Sequence, residues 1–542
     1  MMTKQYVRVL SWCVVLAVVI TVSIIKLHLL DIPLERDEGE YAYIAQLLMQ
    51  GEPLYASAYS MKLPAIYFVY AAVMALFGQT PYGIHMGLLV ITAVTIVLVF
   101  LLARRMFGSY AGVMAAIAFA LLTLGKYTLA FNIEPLVMLL VLSGSLIMLS
   151  LIGRGGGLLL SGFVFGLAFV AKQHAVFFIL FGAFYVLWND IRIRPIPAAR
   201  ALKRVSLFLV GSTVPFLLVC LYIYACGSFG DFWFWIFKYA SKYCSFITFS
   251  DGVESFMYVS GKIIGSSPLV WALSGIGLFA GVWSALERDK AVFICGLFVA
   301  SFLAITPGLY FRHHYFIFLF PALALFAGIA IRYVSQYLSQ RGITGVKLNM
   351  IMTGIFILFF SISIFQQKNF LFRMDPIEAC RDIYNMGPFT ESVELARYIE
   401  NNSGKNSRVI VLGSEPQIYF YLRKIAPVKY IYMYPLLEET PYALAMQASF
   451  IKEVESAASE YLICVNVGTS WFNGYVNPDK AKPLFDWVNT YPRKFYEVAG
   501  AVDMVSRDRS VYVWGPEAKD YRLKGEQYII IFKRKAGIET VV

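Results

Sequence analysis

The chain has 542 residues, 59% hydrophobic, 16% aromatic and only 15% charged, with a mean hydropathy of +0.66. Soluble domains run about 45–50% apolar and about 25% charged, so the composition excludes a soluble enzyme, a disordered chain and a disulfide scaffold, and leaves a polytopic membrane protein with room for a further domain. The net charge of +12 sits almost wholly in residues 1–366, with 24 Lys/Arg against 13 Asp/Glu, while residues 367–542 carry 22 against 21; such a split reports membrane topology or contact with membrane lipids, not nucleic acid.

In chain order, apolar runs near spanning length fall at 7–30, 82–103, 110–125, 134–153, 157–171, 174–188, 205–226, 266–286, 291–306, 314–334 and 347–366, eleven in all. The first has a basic start but no small-residue cleavage site, so it reads as a retained helix. The run 64–77 is short for a span and reads as interfacial or re-entrant. With Met1 in the cytoplasm, this arrangement puts 15 basic and 3 acidic residues in cytoplasmic loops, against 9 and 10 outside before the C-terminal portion. The positive-inside rule is satisfied, and it would mostly invert if 64–77 crossed. An odd number of spans places residues 367–542 outside. There the pattern alternates helices (391–402, 440–458, 480–491) with strands (408–413, 460–467, 510–514, 527–535), which predicts a small α/β domain. The seven cysteines are scattered, without metal or disulfide spacing.

Six acids crowd residues 31–52, Asp31 and five more in LERDEGEYAYIAQLLMQGEPLY. Residues 40–50 have helical periodicity with Tyr41 on one face, so Glu35, Glu38 and Glu40 fit helix capping as readily as function. Other polar residues mark the same ends of different spans: Lys62, His85, Lys126, Asn132, Glu134, then Lys172, Gln173 and His174, then Arg312, His313 and His314. Ionisable groups at a membrane edge are costly and usually line a cavity. Headgroup-level snorkelling is the competing account, strongest for Lys126 and His28.

DEGEYAYIAQLLMQGEPLY followed by MKLPAIYFVYAAVMALFG resembles the first outer loop of the polyprenyl-phosphate-sugar-dependent glycosyltransferases of the GT-C fold, a group that includes the bacterial aminoarabinose transferases of lipid A and the protein O-mannosyltransferases. AKQHAVFFIL (171–180) and RHHYFIFLFPALALFAG (312–328) are similar to two later patches of that group. The resemblance implies a transmembrane glycosyltransferase domain over residues 1–366 with a catalytic loop at 31–81, and an extracytoplasmic α/β domain over 367–542. It further implies Asp37 as the base or acceptor-orienting acid, Glu134 as a second acidic position and Lys62 near the donor phosphate. The aminoarabinose transferases carry an arginine where this chain has Glu40, so Lys172, Arg312 and His314 are the expected substitutes, with Glu38, Tyr41 and Gln173 in support.

The chemistry is coherent with that expectation. A lipid phosphate leaving group becomes a dianion, which fixed cations stabilise, and the acceptor hydroxyl needs a base. The chain has no P-loop, no GxGxxG after a strand and no DxD pair in the first loop, so neither an obligate cofactor nor a metal is expected, and His313–His314 is not a zinc motif. The expected partners are a polyprenyl-phosphate sugar, an envelope acceptor (lipid A or lipopolysaccharide, other glycolipid, polysaccharide or protein) and membrane lipids, at the plasma (inner) membrane. A transporter or lipid flippase is the alternative. Transporters carry repeated halves and broken helices with mid-span charge, and the sequence shows neither clearly.

Overall fold

The structure, a computed structural model, describes residues 2–193, 198–243, 246–283, 288–471 and 477–537. It opens with α1 (Met2–Leu27), α2 (Arg36–Met49), α3 (Ala65–Phe77), α4 (Pro81–Phe107), α5 (Ser109–Thr123), α6 (Ile133–Leu151), α7 (Gly155–Ala171), α8 (Val176–Ile191) and α9 (Ala198–Ala225). Each of the eleven predicted apolar runs coincides with a helix, the last four being Pro268–Trp283, Arg288–Ile305, Phe320–Gln340 and Gly345–Gln366. Among the described residues, however, only seven helices have the length and apolarity to cross a bilayer, or eight if Phe249–Ser266 and Pro268–Gly281, bent by 102°, form one broken span. For α5 and α7 the reason is geometric: they have 15 and 17 residues, rising about 22–25 Å at 1.5 Å per residue, against a hydrocarbon core of about 30 Å; Arg288–Ile305 has 18 residues but opens on three charges, Arg288, Asp289 and Lys290. The run at 64–77 forms the 13-residue α3, shorter still.

Helix packing in the bundle follows from small residues. A Cβ on Gly162 of α7 would lie 2.0 Å from the Phe208 carbonyl oxygen of α9, and one on Gly211 of α9 would lie 2.2 Å from that of Leu159. The two helices cross in backbone contact because neither carries a side chain there, as is usual where lipid supplies no hydrophobic drive.

The C-terminal portion is a five-stranded mixed sheet in the order β1–β2–β5–β3–β4, from β1 (Val409–Leu412), β2 (Tyr461–Asn466), β3 (Tyr496–Ser506), β4 (Arg509–Trp514) and β5 (Gln527–Arg534). β1 runs parallel to β2, with Val411 opposite Ile463, and the other pairings are antiparallel. β1 reads VIVL and is buried along its whole length, as a strand covered on both faces must be.

This α/β unit lies directly on α2. A Cβ on Gly39 would sit 2.6 Å from the backbone nitrogen of Gln417, so the only side chain tolerated in mid-α2 at this contact is a hydrogen. Leu34 N donates to Tyr421 Oη at 2.8 Å, and Ala426 N donates to Tyr43 Oη at 2.8 Å. Arg36 is clamped by the same unit: its Nε donates to the Ser414 carbonyl at 2.5 Å, its Nη1 to Tyr434 Oη at 2.9 Å, and its Nη2 pairs with the fully buried Glu415.

Candidate functional site

α2 begins with a capping box. The Glu35 carboxylate accepts from Asp37 N at 3.0 Å and Glu38 N at 3.2 Å, and Glu38 reaches back to Glu35 N. Burial, with Asp37 and Glu38 close by, pushes the Glu35 carboxyl well above the usual range. Glu38 points into the protein, where its Oε1 accepts from Phe131 N at 2.5 Å and contacts His85 Nε2 at 3.0 Å. It thereby ties α2 to the turn preceding α6, and it does not line the cavity described next. The acid cluster thus divides: Glu35 and Glu38 build the helix start, and Asp37 faces outward from it.

Asp37 opens on a cavity of about 490 Å³. Lys62, Lys172 and Arg312, from three separate connections, line the same space, as do His314, Tyr41 and Gln173. Lys62 Nζ lies 3.1 Å from Asp37 Oδ1 and 3.1 Å from Glu40 Oε2. Arg312 Nη1 lies 3.6 Å from Asp37 Oδ2, and its Nη2 donates to Tyr243 Oη at 3.0 Å. Burial alone would raise the Asp37 carboxyl, but Lys62, Arg312 and His314 overcome it and hold the group well below the usual carboxylate range. Burial likewise disfavours the Lys62 ammonium, and Asp37 and Glu40 more than restore it, so Lys62 stays charged.

Glu134 sits behind the wall. It is 1% exposed, pairs with Lys172 and has His314 Nε2 at 4.0 Å. It is therefore the counter-ion that fixes Lys172, and it does not face the cavity. Gln173 Nε2 donates to the Met61 carbonyl at 3.4 Å, which links the Lys62 and Lys172 connections.

Glu40 occupies the position that departs from the aminoarabinose pattern, and it is built in firmly. Its Oε1 accepts from Ser60 Oγ at 2.6 Å and Tyr67 Oη at 3.1 Å, while its Oε2 orients Lys62. The position therefore holds a cation in place in lieu of supplying one. Sequence reasoning missed this role, and also missed the tyrosines. Tyr432 and Tyr434 of the α/β unit close the cavity from above, and Tyr59, Tyr243 and Tyr315 add to its wall. For Tyr432 and Tyr434 the only signal was the alternation in IYMYP, which reads equally as a buried strand. One side of the wall is apolar, with Val176 and Phe177 of α8 and Ile236 and Phe237 of a π-helical turn at Phe234–Tyr239, while His174 and Ser241 add polar groups to the lining. Val176, in this wall, is 38% exposed.

Fold and cavity together define the class: the chain is a multi-pass membrane protein with the GT-C fold of membrane glycosyltransferases. ArnT from Cupriavidus metallidurans bound to undecaprenyl phosphate aligns with a TM-score of 0.58 and 16% identity over 97% of this chain and 98% of that one. Its apo state aligns at 0.55 and 15% identity, over 98% of each chain. The archaeal oligosaccharyltransferase AglB from Archaeoglobus fulgidus, in complex with an inhibitory peptide and a dolichol-phosphate, aligns at 0.51 and 12% identity over 94% of this chain and 75% of that one. Within the chain, residues 61–223 match the family model described as dolichyl-phosphate-mannose-protein mannosyltransferase. A comparison with curated protein sequences finds no match.

Proposed function

We propose that the chain is an inverting glycosyltransferase that moves a sugar from a polyprenyl-phosphate carrier to a cell-envelope acceptor on the extracytoplasmic face of the plasma (inner) membrane. The observation that carries this reading is the meeting of Asp37 with Lys62, Lys172 and Arg312 in one cavity with an apolar wall. The cations suit a phosphate, and the apolar wall suits a lipid tail. Two of the structures with this fold hold polyprenyl phosphates, undecaprenyl phosphate in one and dolichol-phosphate in the other. The basic excess in the loops at the opposite end of the bundle favours an extracytoplasmic cavity. We assign residues 1–366 to the transferase domain and residues 367–542 to an extracytoplasmic domain that roofs it.

In this reading Asp37 takes the proton of the acceptor hydroxyl as that oxygen bonds to the sugar's anomeric carbon. The bond from that carbon to the phosphate oxygen breaks, and its electron pair leaves with the phosphate. Lys62 and Arg312 neutralise the second charge the phosphate acquires, and Lys172, held by Glu134, faces the same space. At rest Asp37 is a weak base, because Lys62 and Arg312 depress it. An incoming phosphate competes for those cations, so donor binding restores the basicity of Asp37 when the acceptor must be deprotonated. His314, Glu38, Tyr41 and Gln173 position these groups.

Mass spectrometry of envelope lipids and glycans from a deletion strain tests the reading. A sugar increment should be missing, and wild-type protein should restore it. Loss of a general base typically costs about 10²–10⁴-fold in rate, so Asp37→Asn at equal protein level should leave the increment missing. Full restoration by that variant would overturn the assignment of Asp37.

A further inference from the structure

A second cleft, of about 860 Å³, opens on the α/β unit away from the catalytic cavity. It lies at the far end of α2, at Gln50; the 14 residues of α2 put it about 20 Å from Asp37 at 1.5 Å per residue. Apart from Gln50, every lining residue belongs to the segment 405–457, and none is in a membrane-spanning helix.

Its charge is one-sided. Lys405, Arg408, Arg423, Lys424 and Lys452 line it against a single acid, Glu453. That carboxylate is already engaged, accepting from Lys429 N at 3.1 Å and Ser449 Oγ at 2.9 Å. Two of the cations are anchored on carbonyl oxygens: Lys424 Nζ on that of Gly404 at 2.9 Å, and Arg408 Nη1 on that of Ala457 at 3.3 Å. Lys405, Arg423 and Lys452 are exposed and, among the described residues, form no ion pair. Elsewhere in the same unit some exposed cations are matched, Arg397 with Glu394, Lys519 with Glu497 and Lys533 with Glu460, while others such as Lys480, Lys482 and Lys494 are unpaired among the described residues but do not gather in one cleft. The whole of 367–542 balances 22 basic against 21 acidic residues, so five against one in a single cleft is segregation and not surplus. Like charges gathered without counter-ions destabilise a fold unless something anionic occupies the space between them. Ser407, Ser449 and Ser456 add hydroxyls to the lining.

We propose that this cleft binds the phosphate groups of an anionic envelope glycan. A phosphomonoester concentrates about two charges and several strong acceptor oxygens in one group, which matches a cleft with five cations, and the position off the spanning helices favours a glycan over a bilayer headgroup. That the glycan is the acceptor rests on the transferase reading; the site itself does not.

The full-length protein in phosphatidylcholine nanodiscs is titrated with sodium tripolyphosphate by calorimetry. Wild type should bind saturably, and Lys405→Ala/Arg423→Ala/Lys452→Ala should weaken binding at least 10-fold. Lys480→Ala/Lys482→Ala/Lys494→Ala, which removes equal charge elsewhere on the unit, should leave it unchanged. No binding by wild type, or equal loss in both triple variants, overturns the site. Binding that survives the cleft variant and disappears with Lys62→Met belongs to the catalytic cavity and also overturns it. Competition by phosphatidylglycerol in the nanodisc overturns the glycan assignment in favour of a lipid headgroup. Once transfer is reconstituted, the cleft variant should raise KM for a phosphorylated acceptor at least 10-fold, with kcat and the KM of the dephosphorylated acceptor unchanged; an equal rise for both acceptors overturns the acceptor role. Absence of any transfer by wild type refutes the transferase reading and leaves the tripolyphosphate result to decide the cleft.

Discussion

At Asp37 the balance of neighbours decides the chemistry. A carboxylate with three cationic or basic neighbours is stabilised in its charged form, and Lys62 is the strongest of them. In Lys62→Met the burial of Asp37 is opposed only by Arg312 and His314, so its carboxyl rises, and the acid limb of kcat/KM should move to higher pH while the overall rate falls. An unmoved acid limb would show that Lys62 does not control Asp37. The stability sign follows the same logic: a depressed carboxyl stabilises the fold above its ordinary value and loses that contribution only as pH falls through the depressed one. Glu438 behaves oppositely. It is 1% exposed, accepts from Tyr239, and burial pushes it up to about 7, with Tyr239 and Arg312 pulling the other way. A raised carboxyl contributes stability that is fully present below 4.5 and lost as pH rises through about 7, a change of roughly 3 kcal/mol. Melting temperature should therefore fall between pH 5 and pH 8, and Glu438→Gln, which keeps the neutral form, should flatten that fall.

At the scale of elements, α2 is decisive, because it carries Asp37 and Glu40 on one side and the α/β unit on the other. In an exposed helix Gly→Ala gains about 1 kcal/mol. Gly39→Ala should have the opposite sign, since its Cβ would meet the Gln417 backbone at 2.6 Å, and overpacking typically costs about 1–3 kcal/mol. Thermal unfolding and transfer rate should drop together; a stabilised Gly39→Ala protein would mean that the contact is loose. The sequence made α2 visible through its periodicity, but only the packed structure shows that the backbones approach closely at Gly39. Most C-terminal strands were legible as short β-branched runs. β3 was not, because YEVAGAVDMVS interrupts its apolar pattern with Gly500 and the buried Asp503 and carries a register shift between Val498 and Gly500. Asp503 is tolerated there because Tyr521 Oη and the amides of Lys524 and Gly525 satisfy its oxygens.

For the whole molecule, the bundle and the α/β unit share one site, so the cavity and that unit must lie on the same side of the membrane. Cysteines placed at the exposed positions Asp31 and Lys405 should react with an impermeant maleimide in intact cells, and those at Arg105 and Arg341 only after permeabilisation. Labelling of Asp31 and Lys405 on opposite sides would contradict the shared cavity.

Composition, hydropathy and charge placement determined a basic, multi-pass helical membrane part followed by an α/β portion, because transfer of apolar side chains into lipid is a local property that a run of residues carries by itself. The same local signals marked Asp37, Lys62, Lys172 and Arg312 as costly groups at span ends. They could not say which charges pair. Glu134 and Asp37 look alike as acids beside apolar helices, yet one is the buried counter-ion of Lys172 and the other opens on the cavity. Tyr432 and Tyr434 reach that cavity from almost four hundred residues away. The number of helices long enough to span likewise depended on where each apolar run turns, which hydropathy does not record. Pairing, burial and the crossing of distant segments arise only when the chain packs, so the tertiary structure alone decided which charges face the substrate and which hold the others in place.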